Sequence, residues 1–201
     1  MKISTRIPEL DGLRGIGIGL ILVYHYLLLA ILPAPGSLLW YFQASGRLAW
    51  TGVDLFFVLS GFLIGGILLD ARESSNYFQV FYMRRFYRIV PLYAACLFIV
   101  LVLTRFILPL VSPRIHWVAV ERIPSYAYAL FIQNFWMAKQ NTLGAFGLAV
   151  TWSLAIEEQF YLTLPILIRF FATRTRLVLI GIGILAAPML RILLFHYWPE
   201  N

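Results

Sequence analysis

Apolar residues in this chain fall into long unbroken runs rather than short alternations, and polar residues gather at the ends of those runs. The runs cover about residues 16–32, 53–69, 89–111, 148–171 and 177–197. Each approaches or exceeds the ~20 residues that a helix needs to cross ~30 Å of hydrocarbon. The pattern predicts an all-α, polytopic transmembrane helix bundle with about five spans. The first run stops at "PAPG", and the last is interrupted by Pro188 and Arg191. The stretch "SYAYALFIQNFWMA", 125–138, is short for a span and carries Gln133 and Asn134. It is expected to be a partial or re-entrant segment. Trp40, Tyr41, Phe42 and Trp50 are expected to lie at the outer interface as an aromatic belt.

Composition agrees with this pattern. Of 201 residues, 61% are apolar and 12% charged, and mean hydropathy is +0.83. Soluble domains run near a quarter charged, so a soluble fold is excluded. The net charge of +7 does not indicate nucleic-acid binding, because the arginines cluster at span ends, as in cytoplasmic loops of membrane proteins. Lys2, Arg6 and Arg14 put the N-terminus in the cytoplasm, and Arg72, Arg84, Arg85 and Arg88 fall on the same side two crossings later. If 125–138 crosses fully, the basic loop "RFFATRTR" lands outside. If it is partial, the favoured version, that loop returns to the cytoplasm. Pro8, Glu9, Asp11 and Arg14 before the first run are the wrong flank for a cleavable signal peptide, so the first span is expected to be retained. The single cysteine, Cys96, excludes an intrachain disulfide. Residues 1–201 read as a single membrane-embedded domain.

A few polar residues inside the runs need an explanation. Arg14 and His25 are eleven residues apart, three helical turns plus roughly 20°, so they share a face roughly 16 Å apart along the axis. Ionisable groups in spans usually face a cavity and mark a functional path. The spacing alone equally fits a neutral histidine making one interhelical hydrogen bond, with Arg14 as an anchor. Gly15 and Gly19, and later Gly61 and Gly65, form small-xxx-small pairs expected to let a second helix approach. Asp54 begins the second span, where the helix dipole favours a carboxylate; Ser60 has no base nearby in sequence and reads as a packing residue. Arg84 and Arg88 share a helix face with Arg85 beside them. Their guanidinium forks suit the phosphates of a cytoplasmic cofactor or, more simply, of anionic lipid. In "TWSLAIEEQFYL", Glu157 and Glu158 point roughly 100° apart, so at most one faces a shared cavity. Ser153, Glu157 and Tyr161 make a polar stripe at i, i+4 and i+8. A carboxylate at that depth costs several kcal/mol unless paired or protonated.

Taken together, "LDGLRGIGIGLILVYHY", "GVDLFFVLSGFLI", "RRFYRIVPLY" and "TWSLAIEEQFYL" resemble, in that order, the acyltransferase-3 family of integral-membrane O-acyltransferases. That family modifies bacterial surface carbohydrates. The resemblance implies a catalytic role for His25, with Arg14 as its partner in the first motif. It maps the second motif onto Asp54, Phe56, Ser60 and Gly61, the basic motif onto Arg85, Arg88 and Pro91, and the last onto Trp152, Ser153 and Glu157. It also implies acyl-CoA, usually acetyl-CoA, as donor, a carbohydrate or glycolipid as acceptor, no metal, and a place in the bacterial inner membrane. Members usually have more spans, so the chain reads as C-terminally incomplete relative to the family.

The expected reaction is acyl transfer to a sugar hydroxyl. A hydroxyl attacking a thioester benefits from a base within hydrogen-bond reach, and His25 has an unperturbed pKa near neutrality. Glu157 is the candidate for fixing its tautomer, as the acid of a triad does. Arg14, Arg84, Arg85 and Arg88 are candidate ligands of the coenzyme A phosphates. Two rival readings remain: a proton-coupled transporter or flippase-like protein in which His25, Glu157 and Asp54 line a path, disfavoured by the absence of an inverted repeat, and an inactive truncated acyltransferase.

Overall fold

The computed structural model describes residues 7–28, 33–107, 110, 123–144 and 147–197. Lys2, Arg6 and the expected ends of the first and third spans at 32 and 111 lie outside these residues. Helix α1, Pro8–Leu22, starts with proline in its first turn, where the missing N–H costs nothing, and with Glu9 and Asp11 facing the positive end of the helix dipole. It continues as a π-helical turn, Val23–Leu28. Ser37 then caps α2, Leu38–Gly46, its Oγ accepting from the Trp40 N–H at 3.1 Å. A 3-10 turn, Arg47–Trp50, joins α2 to α3, Thr51–Asp70. There follow α4, Tyr77–Val102, ending in a π turn Leu103–Ile107; the short α5, Ser125–Ala129, and α6, Gln133–Gln140; and the long α7, Thr151–Phe170, and α8, Thr173–Tyr197. No strand occurs among the described residues.

Three helical runs, Leu38–Asp70, Tyr77–Ile107 and Thr173–Leu193, are long and apolar enough to cross a membrane. The other two expected crossings, α1 with its π turn and α7, fall short of that apolarity over their described lengths. The reason is chemical: α1 carries Arg14 and His25, and α7 carries Glu157, Glu158 and Gln159. Trp40, Tyr41, Phe42 and Trp50 of the expected aromatic belt lie in the first part of one 33-residue helical run formed by α2, the 3-10 turn and α3.

The 125–138 segment breaks at Phe131, where φ is +54°, so neither α5 nor α6 approaches a span in length. Non-helical backbone at membrane depth is tolerated only where protein covers it, and here α7 does so. Gln159 Nε2 donates to the Phe131 carbonyl at 2.8 Å and to Asn134 Oδ1 at 3.0 Å, while Asn134 Nδ2 donates back to Gln159 Oε1 at 3.3 Å. The fully buried Gln133 donates to the Thr151 carbonyl at 2.9 Å. At the other end of α7, Arg72 Nη2 donates to the Phe171 carbonyl at 3.4 Å. The basic turn after α3 and the basic loop after α7 therefore lie at one end of the bundle, as the partial reading of 125–138 expects.

Helix α7 runs through both apolar clusters. One joins Tyr93 and Leu97 of α4 to Ile123, Ala127, Tyr128, Met137 and Leu148, with Trp152 and Leu154 against it. The other joins Ile64 and Leu68 of α3, Tyr77 and Phe81 of α4, and Tyr161 and Ile168 of α7. Two α4 hydroxyls reinforce the second cluster, Tyr77 donating to the Pro165 carbonyl and Tyr82 to the Leu162 carbonyl, both at 3.1 Å. Helix α8 buries Arg176 and is otherwise almost entirely exposed.

Candidate functional site

Helix α1 reaches α3 through a different pair of glycines from those the spacing suggested. A Cβ on Gly52 would stand 2.7 Å from the Gly17 carbonyl oxygen and 3.0 Å from Leu20 Cβ. Backbone meets backbone there. Gly15, Gly19 and Gly65 have nothing within 4 Å of such a Cβ, and Gly61 only Phe160 at 3.9 Å. The small-xxx-small assignments are thus corrected: the pairs lie on faces that no helix of the described chain packs against closely.

The Gly17–Gly52 contact sets the π turn of α1 beside the 3-10 turn before α3, and the first turns of α7 close the third side. Between them lies a cavity of about 210 Å³. His25, Trp50, Trp152, Ser153 and Glu157 supply its polar groups, and Ile18, Ile21, Val53 and Phe57 are among its apolar lining. Residues from the first and last sequence motifs, over 130 positions apart, meet here. π-Turns within α-helices recur at functional sites, and this one carries His25.

The imidazole is held from two directions. His25 Nδ1 lies 3.0 Å from the Ile21 carbonyl oxygen; a carbonyl only accepts, so Nδ1–H is the donor, and in the neutral ring the lone pair sits on Nε2. The ring also meets Tyr24 edge-on at 5.2 Å and Trp50 at 6.4 Å between centroids. Trp50 in turn stacks on Trp152 at 5.5 Å and 10°, and Trp152 meets Phe57 edge-on. Across the cavity, Glu157 Oε1 accepts a hydrogen bond from the Tyr161 hydroxyl. No hydrogen bond joins His25 to Glu157: the main chain of α1, not the carboxylate, fixes the tautomer.

The remaining sequence candidates separate. Ser153 lines the cavity, its Oγ donating to the Val150 carbonyl at 3.1 Å. Arg14 is half-buried on α1 but outside the lining, and its Nε has no hydrogen-bond partner. Asp54 is exposed in the first turn of α3 and Ser60 is buried further along that helix; neither lines the cavity. Arg84 and Arg88 are exposed, whereas Arg85 is half-buried, its Cζ 5.0 Å from the Tyr161 ring and 5.7 Å from the Phe81 ring. Glu158 points away from the cavity, as the roughly 100° offset of adjacent positions requires, and its Oε1 is buried without a hydrogen-bond partner. Trp50 is the lining residue that the sequence assigned elsewhere. Its one local signal is its place directly before the "TGVDLFF" motif.

The described residues thus form a membrane helix bundle in which a histidine and a carboxylate face one cavity. The family model described as an acyltransferase domain, acyltransferase-3, matches residues 7–199, and the chain belongs to that family. It is similar to the peptidoglycan O-acetyltransferase OatA of Listeria monocytogenes, with 32% identity over 96% of this chain and 31% of that protein. It is also similar to the O-acetyltransferase OatA of Staphylococcus aureus, 33% identical over 84% of this chain and 26% of that one. The putative peptidoglycan O-acetyltransferase YrhL of Bacillus subtilis is 34% identical over 79% of this chain and 23% of its own length. The chain thus spans less than a third of the length of each of these relatives. No solved structure matches it.

Proposed function

We propose that this chain is the acyl-transfer unit of a membrane O-acetyltransferase that moves an acetyl group from acyl-CoA to a carbohydrate hydroxyl of the cell envelope. The observation that carries this reading is the cavity shared by His25 and Glu157, with His25 Nδ1 tied to the Ile21 carbonyl and Nε2 left as a base. The names of the relatives make a peptidoglycan hydroxyl the first acceptor to test.

In the proposed reaction, His25 Nε2 takes the proton of the acceptor hydroxyl as its oxygen attacks the thioester carbonyl. The tetrahedral adduct collapses, the C–S bond breaks, and the imidazolium returns its proton to the departing thiolate. Glu157 faces the same cavity and offsets the positive charge that develops on the imidazole. The apolar part of the lining lowers the local dielectric and strengthens that interaction. Arg14, with its unpartnered Nε, and the exposed Arg84 and Arg88 are the proposed ligands of the donor's phosphates, which assigns the N-terminus and these arginines to the cytoplasmic side of the inner membrane. His25→Ala, reconstituted with acetyl-CoA and a peptidoglycan acceptor, should lose transfer by about 10²-fold or more while still inserting in the membrane. Transfer at the wild-type rate would remove His25 from the mechanism.

A further inference from the structure

The sequence groups Arg84, Arg85 and Arg88 as one basic patch, but the three do not share an environment. Arg84 and Arg88 are exposed on α4. Arg85 turns inward, its guanidinium 5.0 Å from the centroid of Tyr161 and 5.7 Å from that of Phe81, both within cation–π range. Those rings meet edge to face at 83° with centroids 6.2 Å apart, and both are buried. Tyr161 carries the hydroxyl that donates to Glu157 Oε1, and Glu157 faces the cavity opposite His25. A continuous set of contacts therefore leads from a cation on α4, through one phenol, to the carboxylate of the site.

We infer that Arg85 is a positioning residue for Glu157, acting through Tyr161, and is not a ligand of the donor's phosphates. A cation on the face of a phenol holds the ring and polarises its O–H toward an acceptor. The Tyr161 hydroxyl then fixes which Glu157 oxygen is occupied and leaves the other for the cavity. The charged and titratable groups around Glu157 are Glu158 and Tyr161 on its own helix, Arg85 from α4 and His25 from α1 across the cavity. Arg85 is the cation whose charge acts on both Glu158 and Tyr161. Glu158, its Oε1 buried without a hydrogen-bond partner, is the second carboxyl group next to Glu157 on which this cation acts. The inference rests on the acyl-transfer reading of Glu157.

Two measurements on the purified chain in lipid nanodiscs test it, with Arg85→Gln, Arg85→Lys and Tyr161→Phe. Tyr161→Phe keeps the packing and the cation–π contact and deletes only the hydroxyl, so it guards against a folding defect in Arg85→Gln. In acetyl transfer, Arg85→Gln and Tyr161→Phe should each lower kcat by about tenfold or more, with KM for acetyl-CoA within about twofold of wild type. Arg85→Lys should recover part of the loss. A raised KM with unchanged kcat in Arg85→Gln would overturn the inference and return Arg85 to the donor site, leaving the acyl-transfer reading intact. The second measurement needs no activity: labelling of Glu157 by a hydrophobic carbodiimide, followed by mass spectrometry, with Glu157→Gln and Glu158→Gln identifying the site. Both Arg85→Gln and Tyr161→Phe should change the Glu157 labelling rate by about tenfold. An unchanged rate in both overturns the positioning role whether or not the wild-type chain transfers acetyl groups. A wild-type chain that consumes no acetyl-CoA refutes the acyl-transfer reading separately.

Discussion

Replacing Gly52 with alanine should damage the site more than the same change at any other glycine of α1 or α3. The new Cβ would lie 2.7 Å from the Gly17 carbonyl oxygen, 3.0 Å from Leu20 Cβ and 3.2 Å from Ile21 Cγ1. Ordinary contact begins near 3.4 Å, so α1 and α3 must separate by about 0.7 Å, and backbone cannot swing aside as a side-chain tip would. Overpacking of this kind costs about 1–3 kcal/mol, partly offset by the gain of up to about 1 kcal/mol for glycine to alanine in a helix. A net loss of about 1–2 kcal/mol should appear as a lowered Tm in detergent. Activity should fall further than stability, because the residues pushed away include Ile21, whose carbonyl holds His25 Nδ1. A misplacement near 1 Å at a reacting group costs about 10²-fold, so acetyl transfer should drop by about 10- to 100-fold. Gly17→Ala, whose Cβ would meet the Gly52 carbonyl at 3.4 Å, should be mild. Gly15→Ala and Gly19→Ala, with nothing within 4 Å, should keep full activity and gain slightly in Tm. A Gly52→Ala chain with wild-type Tm and activity would refute the reasoning, as would a Gly15→Ala chain equally impaired.

Trp50→Ala removes the ring contacts to His25, Tyr24 and Trp152 and should lower kcat by at least about tenfold, with Trp50→Phe keeping most of it; steady-state kinetics on both would expose an inert Trp50. Gln159→Leu strands the Phe131 carbonyl and Asn134 and should cost about 1–3 kcal/mol in unfolding, with a double-mutant cycle against Asn134→Leu giving a coupling of about 0.6–1.7 kcal/mol. In a Cys96→Ser background, Arg72→Cys and Arg174→Cys should react with an impermeant thiol reagent from the same face of the membrane; labelling from opposite faces would contradict the shared end set by Arg72 and Phe171.

Helical periodicity gives the angle between two side chains but not which angle points inward. That explains both what was legible in the sequence and what was not. His25, Ser153 and Glu157 were readable because polar groups inside an apolar run are expensive and so have to face a cavity, whereas Trp152 came only with the family resemblance. The roughly 100° offset between neighbours on a helix is what put Glu157 and Glu158 on different faces. Gly15 and Gly19 misled because a small-xxx-small pair fits any face, and the face that meets α3 carries Gly17. Arg85 was grouped with Arg84 and Arg88 because spacing along α4 says nothing of Tyr161, 76 positions later, which draws it inward. Trp50 was placed at the interface because aromatics before a span usually sit there, and the turn that carries it into the cavity leaves no periodic trace. The span count was drawn from apolar length, and the two runs that fall short are those in which the site's polar groups interrupt it.

A π turn is a helix with one residue more than the regular ladder needs. The turn Val23–Leu28 therefore sets the angular position of the imidazole by chain length as well as by chemistry. Deleting one residue of it ahead of His25 would restore an ordinary helix, with better hydrogen bonds and a gain in local regularity, yet change where along that helix the imidazole emerges. Stability and activity would then move in opposite directions under a change that alters no side chain of the cavity. Because the atom that pins Nδ1 belongs to the main chain, no substitution can delete it. The register of α1 is a variable through which this site can be lost with its chemistry intact.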